Sequence, residues 1–442
     1  MNLRYVASCG LVCAAFALAG CDQGRQTPGT VTVRAVNVAP SFVELQFRRE
    51  QDFNRAVALG FKSAQEFSYD ADTYDFFVAE RSLDPNVTGR TWTVEQQMQE
   101  NHSYTIVLTE VGGEVIPVVI EHPAAAAADS QIAVLHAANG LPAIDVYLER
   151  PGVGIAGATP RASLAVQEQL TPLNLASGEY ELFLTEAGTP ANVLLATETL
   201  TLAAGATATF LLVAESGEGT APLSVVLLQA APAVLYDRNA TAEIRVINGA
   251  TDTVPRDFAI NREFAPPLFS AIPFAAPTPY ATVPVGTSLP INVTPVGNQG
   301  VLELDQTLTT AASQRLTLLF AGPAGTLLHT IVRDDGRRIA NEAKLRFFNA
   351  ATQFTAIGFV LTTPGTDPTN VLAQAQLAAP GAADYASLPA GNYDLYLREA
   401  AATTLLSGPT PITVVAGGLY GAIAVNGADT ATAGVVLVDD FP

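Results

Sequence analysis

The sequence predicts an all-β protein of four tandem β-sandwich domains. Three observations predict it. A β-rich opening recurs four times, the same series of short alternating segments follows each opening, and helical periodicity is confined to one place. The openings are Val31 to Asn37, Ile132 to His136, Ile244 to Asn248 and Leu345 to Asn349. They recur at roughly 100–110 residues, the ordinary size of a domain. Each ends in Asn or His and runs into small residues such as Ala138, Gly249-Ala250 or Ala350-Ala351.

The remaining elements follow in order. Seven to nine residues past each Asn or His comes a short alternating strand: Glu44 to Phe47, Asp145 to Leu148, Asp257 to Ile260 and Gly358 to Leu361. A glycine turn and an aromatic then open a half-buried strand, Gly178-Glu-Tyr180 to Leu184 in the second copy and Gly391-Asn-Tyr393 to Leu397 in the fourth. The first copy has Asp72-Thr-Tyr74 to Val78, and the third is degraded to Gly286-Thr-Ser288 to Asn292. Leu200 to Val213, Leu308 to Phe320 and Ile412 to Val425 each read as two strands around a turn. Closing strands are Val115 to Ile120, Val225 to Leu228, Leu327 to Val332 and Val435 to Val438.

That makes about seven strands per copy, a sandwich pattern. Phe53, Val57, Phe61 and Ala64 fall at helical spacing and predict a short inserted helix. Six prolines between Pro266 and Pro284 predict short or edge strands in the third copy. The expected boundaries are 31–122, 131–229, 242–335 and 343–440, joined by Pro123 to Ser130, Ala230 to Thr241 and Gly336 to Glu342. Linkers this short predict a semi-rigid string.

The N-terminus reads as an address. Arg4 precedes an apolar run from Tyr5 to Leu18, too short to span a bilayer, and Ala19-Gly20-Cys21 closes it. The layout resembles a bacterial lipobox. The resemblance implies a signal peptide over 1–20, a tether over 21–30, and a diacylglycerol and N-acyl (palmitate-type) anchor on Cys21 in the cell envelope. Asp22 resembles an inner-membrane retention signal, which leaves the choice of membrane open. Cys9 and Cys13 lie inside the leader, so the processed chain has no disulfide, thiolate nucleophile or cysteine metal site.

Composition narrows the partners. The chain has 442 residues and a formal charge of −20, and Lys62 and Lys344 are its only lysines. Nucleic acid and anionic membrane surfaces demand basic patches, so neither is an expected partner.

The Val-Arg-Val-x-Asn/His-Ala-Ala opening, the Asp-Val-Tyr-Leu strand and the Leu-x-x-Gly-x-Tyr-x-Leu-x-Leu strand together resemble a bacterial family of tandem envelope domains, domain of unknown function DUF4397. The resemblance covers nearly the whole chain after the leader. Copies two and four carry it best, and one and three diverge. The Gly-x-Tyr-x-Leu strand is also similar to transthyretin-like and collagen-adhesin B-type modules. The resemblance implies an immunoglobulin-like or transthyretin-like sandwich and supplies no catalytic residues.

No motif of catalysis stands out, and no catalytic, metal or cofactor residue is expected. His102, His122, His136 and His329 form no His-x-x-x-His pair. The recurrent Asn37, His136, Asn248 and Asn349 read as strand-end side chains that bond a neighbouring loop backbone; a ligand contact in each domain is the alternative. Glu80, Glu186 and Glu399 recur six positions after Tyr74, Tyr180 and Tyr393, and Asp334-Asp335 and Asp439-Asp440 follow closing strands. Asp70 to Asp75 has a superficial calcium-loop look without the glycine or distal glutamate, so calcium is entertained mainly at domain junctions. Trp92 alternates with core residues, and Tyr147 and Tyr396 are the candidate sugar platforms. The expected function is therefore a non-enzymatic, lipid-anchored envelope protein, a spacer or protein-binding adhesion module. The alternative is a carbohydrate- or calcium-binding module.

Overall fold

The computed structural model describes residues 29–440 except 53, 84–87, 216–220 and 401, with the side chain of 287 also left out. The leader and Cys21 lie outside the described residues. Within them the chain is all-β, and no helix is present.

Each repeat is a sandwich of two sheets with one strand order throughout; both are four-stranded in the first and third repeats, and in the second and fourth one edge strand is split in two, Thr189–Ala196 with Leu200–Leu202 and Gly381–Ala382 with Ala386–Pro389. In the first repeat the eight strands are Thr30–Asn37, Glu44–Arg49, Val57–Gly60, Ala64–Asp70, Thr73–Glu80, Thr91–Gln97, His102–Val111 and Glu114–Pro123. The opening strand lies between the fourth and seventh, with the eighth outside the seventh. The second strand lies between the third and fifth, with the sixth outside the fifth. The opening strand runs parallel to the seventh, and all other neighbours are antiparallel. The other repeats repeat this plan from Asp129–His136, Ala242–Ala250 and Glu342–Asn349; the second repeat gains a linker strand, Ala233–Leu235, at its edge. An immunoglobulin domain joins its first strand to its second and fifth in one sheet. The order here differs, with the first strand beside the fourth and seventh and the second in the other sheet.

One prediction fails locally. Where helical spacing predicts a helix, strands Val57–Gly60 and Ala64–Asp70 cross from one sheet to the other. Lys62 has a positive φ of 60°, which a helix does not tolerate, and Phe67 and Tyr69 alternate onto the core with Phe47 and Phe76. The expected strand weakness in the third repeat is present. Phe269–Ile272 and Ala281–Val283 are short edge strands, and the stretch between them pairs with the opening strand through isolated bridges at Phe274 and Pro277 rather than a continuous ladder.

The string does not form. Each sandwich has its own core between its two sheets. Two further cores lie between repeats. Val36, Val107 and Ile120 of the first repeat pack on Leu135, Leu211 and Val226 of the second. Ile247, Leu319 and Ala321 of the third pack on Phe348, Ile423 and Val425 of the fourth. The sheets carrying the opening strands are therefore apolar on both faces. A string would leave the outer faces in water, where burying them stabilises by about 25 cal/mol per Å² of apolar surface. Back-to-back packing removes them from water, and Glu342–Asn349 is buried along its whole length.

The two pairs also touch. The linker after the third repeat lies on the first: Ala340 N donates to Ser41 O at 3.1 Å, Arg337 reaches Phe42 O at 3.4 Å, and the Arg337 guanidinium sits 4.4 Å from the Phe61 ring centroid.

Candidate functional site at the seams between repeats

The recurrent strand-end residues come first, because they set the loops. Asn37 is fully buried; its Oδ1 accepts Ala39 N at 2.9 Å and its Nδ2 donates to Leu59 O at 3.0 Å. Asn248 accepts Ala250 N at 3.0 Å and donates to Val254 O and Ile272 O, both at 3.1 Å. Asn349 accepts Ala351 N at 2.9 Å and donates to Leu377 O at 2.7 Å. His136 does the same with an imidazole. Nδ1 accepts Ala138 N at 3.2 Å, which leaves the proton on Nε2, 3.0 Å from Pro142 O. Burial lowers its pKa, in keeping with the neutral ring this bonding needs. These four side chains are strand caps, and all are turned to the backbone rather than to a cavity.

The Gly-x-Tyr tyrosines are also structural. Tyr180 OH donates to Ala176 O at 2.6 Å and Tyr393 OH to Pro389 O at 2.9 Å, each four residues back, which ties the turn to the strand it begins. Tyr147 is buried under the loop bearing Ile155 and Ala158, and Tyr396 is buried, so neither presents a sugar platform. Trp92 packs edge-on to Phe42 at 5.9 Å, on the core side as its alternation predicts. Glu80 is buried and held by Arg90 at 2.9 Å.

The charged chemistry lies in the seam between repeats three and four. Arg245, Arg346, Asp334 and Asp440 meet there, with side chains 2% exposed or less. The arrangement has an approximate two-fold symmetry. Arg245 Nη2 of repeat three pairs with Asp440 Oδ1 of repeat four at 2.6 Å, and Arg346 of repeat four pairs with Asp334 of repeat three. Two long contacts close the square, Arg346 Nε to Asp440 at 3.1 Å and Arg245 Nε to Asp334 at 3.9 Å.

Each aspartate also takes a phenol from its own repeat: Tyr280 OH donates to Asp334 at 2.6 Å and Tyr385 OH donates to Asp440. The rings sit beside the guanidiniums, Arg245 at 5.0 Å from Tyr280 and Arg346 at 3.8 Å from Tyr385. Thr317 links the halves of its side, donating to Asp334 and accepting from Arg245 Nε, both at 2.7 Å. Gly421 stands where repeat four would carry that threonine. A Cβ there would come within 2.7 Å of Val438 Cγ2 and 3.4 Å of Asp440 Oδ1, so glycine makes the room Asp440 occupies.

Burial opposes the charge of both arginines, yet the aspartates raise their pKa and keep them cationic. Burial, with the neighbouring carboxylates, pushes both tyrosines far up, so they stay protonated donors. At the edge of the cluster burial lowers Lys344 to about 8, while Asp335 falls to about 2 because Arg337 and Lys344 outweigh its own burial. A 440 Å³ recess opens beside the network, lined by Arg245, Thr278, Tyr280, Arg315 and Asp439 among others.

The seam between repeats one and two is neutral at its centre. His122 occupies the place of Asp334 and Asp440, and its Nε2 lies 3.1 Å from Thr209 Oγ1 and 3.4 Å from Thr105 Oγ1. Burial, with Arg34 adding to it and Gln131 partly offsetting it, lowers its pKa to about 4, so the ring is neutral. Lys62 pairs with Glu215 across the same seam. His102 lies at the rim, 2.5 Å from Glu121, in a 450 Å³ groove with Gln169 and Thr171.

In the sequence Asp334-Asp335 and Asp439-Asp440 recur after closing strands, where calcium is an expectation at junctions. They do lie at a junction, and Asp334 and Asp440 are bonded to arginines there. Among the described residues no group of three or more His, Cys, Asp or Glu is placed to hold a metal ion. Arg245 and Arg346 were missed, although an arginine inside an apolar opening strand is the signal that could have found them.

The family model for a domain of unknown function, DUF4397, matches residues 130–234 and 242–360, about half of the chain. The chain belongs to the DUF4397 family. No curated protein matches it. The DUF4397 match takes in the second and third repeats and runs into the fourth. The third repeat is thus matched despite its degraded Gly-x-Tyr strand, against the expectation that the second and fourth carry the likeness best. What it retains is the opening strand, its Asn248 cap and the eight-strand order.

Proposed function

We propose that this DUF4397 protein is a non-enzymatic, lipid-anchored protein of the bacterial cell envelope whose paired repeats form a rigid protein-binding head. One observation carries the reading: the repeats pack back to back in two pairs, so the chain gives up length for a fixed outer surface. This favours the adhesive role over the spacer role. The tether agrees. Gly29, the first described residue, donates its N–H to Glu100 at 2.8 Å, and about seven residues separate it from Cys21 in the sequence. At roughly 3.5 Å per residue they reach about 25 Å at full extension. The head would sit close to the bilayer, and the charge of −20 would turn it away from anionic lipid.

The test has two arms. In cell fractionation, wild type should follow the membrane and Cys21→Ala should be soluble; a Cys21→Ala protein still in the membrane fraction would overturn the anchor. The soluble chain from Asp22 should then melt at the same temperature with and without millimolar calcium and envelope glycans. A clear upward shift would replace this reading with the carbohydrate- or calcium-binding one.

A further inference from the structure

We propose that the buried arginine–aspartate square is a pairing code that selects repeat four as the partner of repeat three and rejects repeats one and two. The registers define the code positions. Arg245 lies beside Thr317 and then Val332, with Asp334 two residues on; Arg346 lies beside Gly421 and then Val438, with Asp440 two residues on. The same path in repeat one runs Arg34, Thr105, Ile120 and reaches His122. In repeat two it runs Ala133, Thr209, Leu228 and reaches Ala230. Only repeats three and four carry Arg at the first position and Asp at the second.

The contacts show how the code is read. The shortest ion pairs do not close within a repeat; each arginine's closest carboxylate belongs to the other repeat. Each aspartate is oriented by a tyrosine of its own repeat, so each half is prepared before it meets its partner. A mismatched pair would bury an arginine without a carboxylate. Repeat four against repeat one would set Arg346 beside Thr105 and His122, a neutral pair of side chains. Repeat one's own code arginine, Arg34, is paired instead with Glu66 of its own repeat at 2.7 Å, on a more exposed edge. A buried charge stripped of its partner is strongly unfavourable, and rejection of wrong partners is the best-attested use of such groups. Tandem homologous domains need this, because mispairing is their characteristic folding error.

The test uses the soluble chain from Asp22, which contains no cysteine. Ile423→Cys places one thiol in the seam of repeats three and four, and Val226→Cys, in a separate protein, places one in the other seam. Maleimide labelling then reads the opening of each seam. Arg346→Asp should speed labelling at position 423 by about tenfold or more, and leave position 226 unchanged. Adding Asp334→Arg restores a cross-repeat pair and should recover at least half of that change on a logarithmic scale. Adding Asp440→Arg instead gives the same net charge but pairs within repeat four, and should recover none.

Equal recovery by both double variants, or none by either, would overturn the code. So would no change from Arg346→Asp alone. If Arg346→Asp unfolds the chain, Arg346→Gln with and without Asp334→Asn serves in its place. The double variant should then label more slowly than the single, and the reverse order would refute the proposal.

Discussion

Acid should loosen the first pair of repeats through one imidazole. His122 is 2% exposed, faces Thr105, Thr209 and Gln131 with Arg34 nearby, and has its pKa held at about 4 chiefly by burial. Unfolding returns it to about 6.5. Between those values the unfolded chain binds the extra proton, so stability rises with pH across that window. The contribution is fully present above pH 6.5 and is lost as pH falls toward 4. At 1.36 kcal/mol per pKa unit, the loss at pH 4 is about 3 kcal/mol. Carboxylates also titrate near pH 4, so the comparison is with His122→Asn, which keeps a neutral polar group and cannot titrate. Trp92, the sole tryptophan, lies in repeat one and reports its urea unfolding. From pH 7 to pH 4 the wild-type midpoint should fall further than that of His122→Asn by roughly 1–3 M urea, for a slope of about 1–3 kcal/mol per molar. Equal falls in the two proteins would refute the reasoning.

Two further outcomes follow from the packing. Phe348→Ala removes a fully buried ring from the seam of repeats three and four, and should destabilise repeat four by about 3–5 kcal/mol in urea unfolding followed by circular dichroism. A loss under 1 kcal/mol would mean that the seam is not packed as described. Asn349→Ala removes a strand cap with a backbone bond on each side, and should cost about 1–3 kcal/mol in the same assay. Asn349→His should cost less, because His136 makes both bonds in repeat two.

Much of the fold was legible because short runs of β-branched, aromatic and leucine residues bounded by turn residues read as strands whether one face or both are buried. The segments from Glu44, Asp145, Asp257 and Gly358 all became second strands, and the Gly-x-Tyr markers became fifth strands. The segment from Phe53 to Ala64 misled because four apolar residues at spacings of three and four fit a helix as well as two short strands around a turn. The positive φ at Lys62 that decides between them has no signature in a lysine.

The pairing of repeats was harder to see. Leu211 and Val213, or Phe348 and Ile423, read as ordinary strand residues, and only the sheet shows that they face away from their own core. The acids of the seam were visible as a recurrence, but their partners lie as far as 195 positions away in the chain. Cys21 lies outside the described residues, so the anchor rests on the sequence.

The most direct measurement is small-angle X-ray scattering of the soluble chain from Asp22. Two back-to-back pairs in contact predict a radius of gyration near that of one compact body of this length, about 22 Å. Four sandwiches in a line would give roughly 40 Å. A value close to the first supports a compact head; a value close to the second would contradict both the pairing and the function built on it.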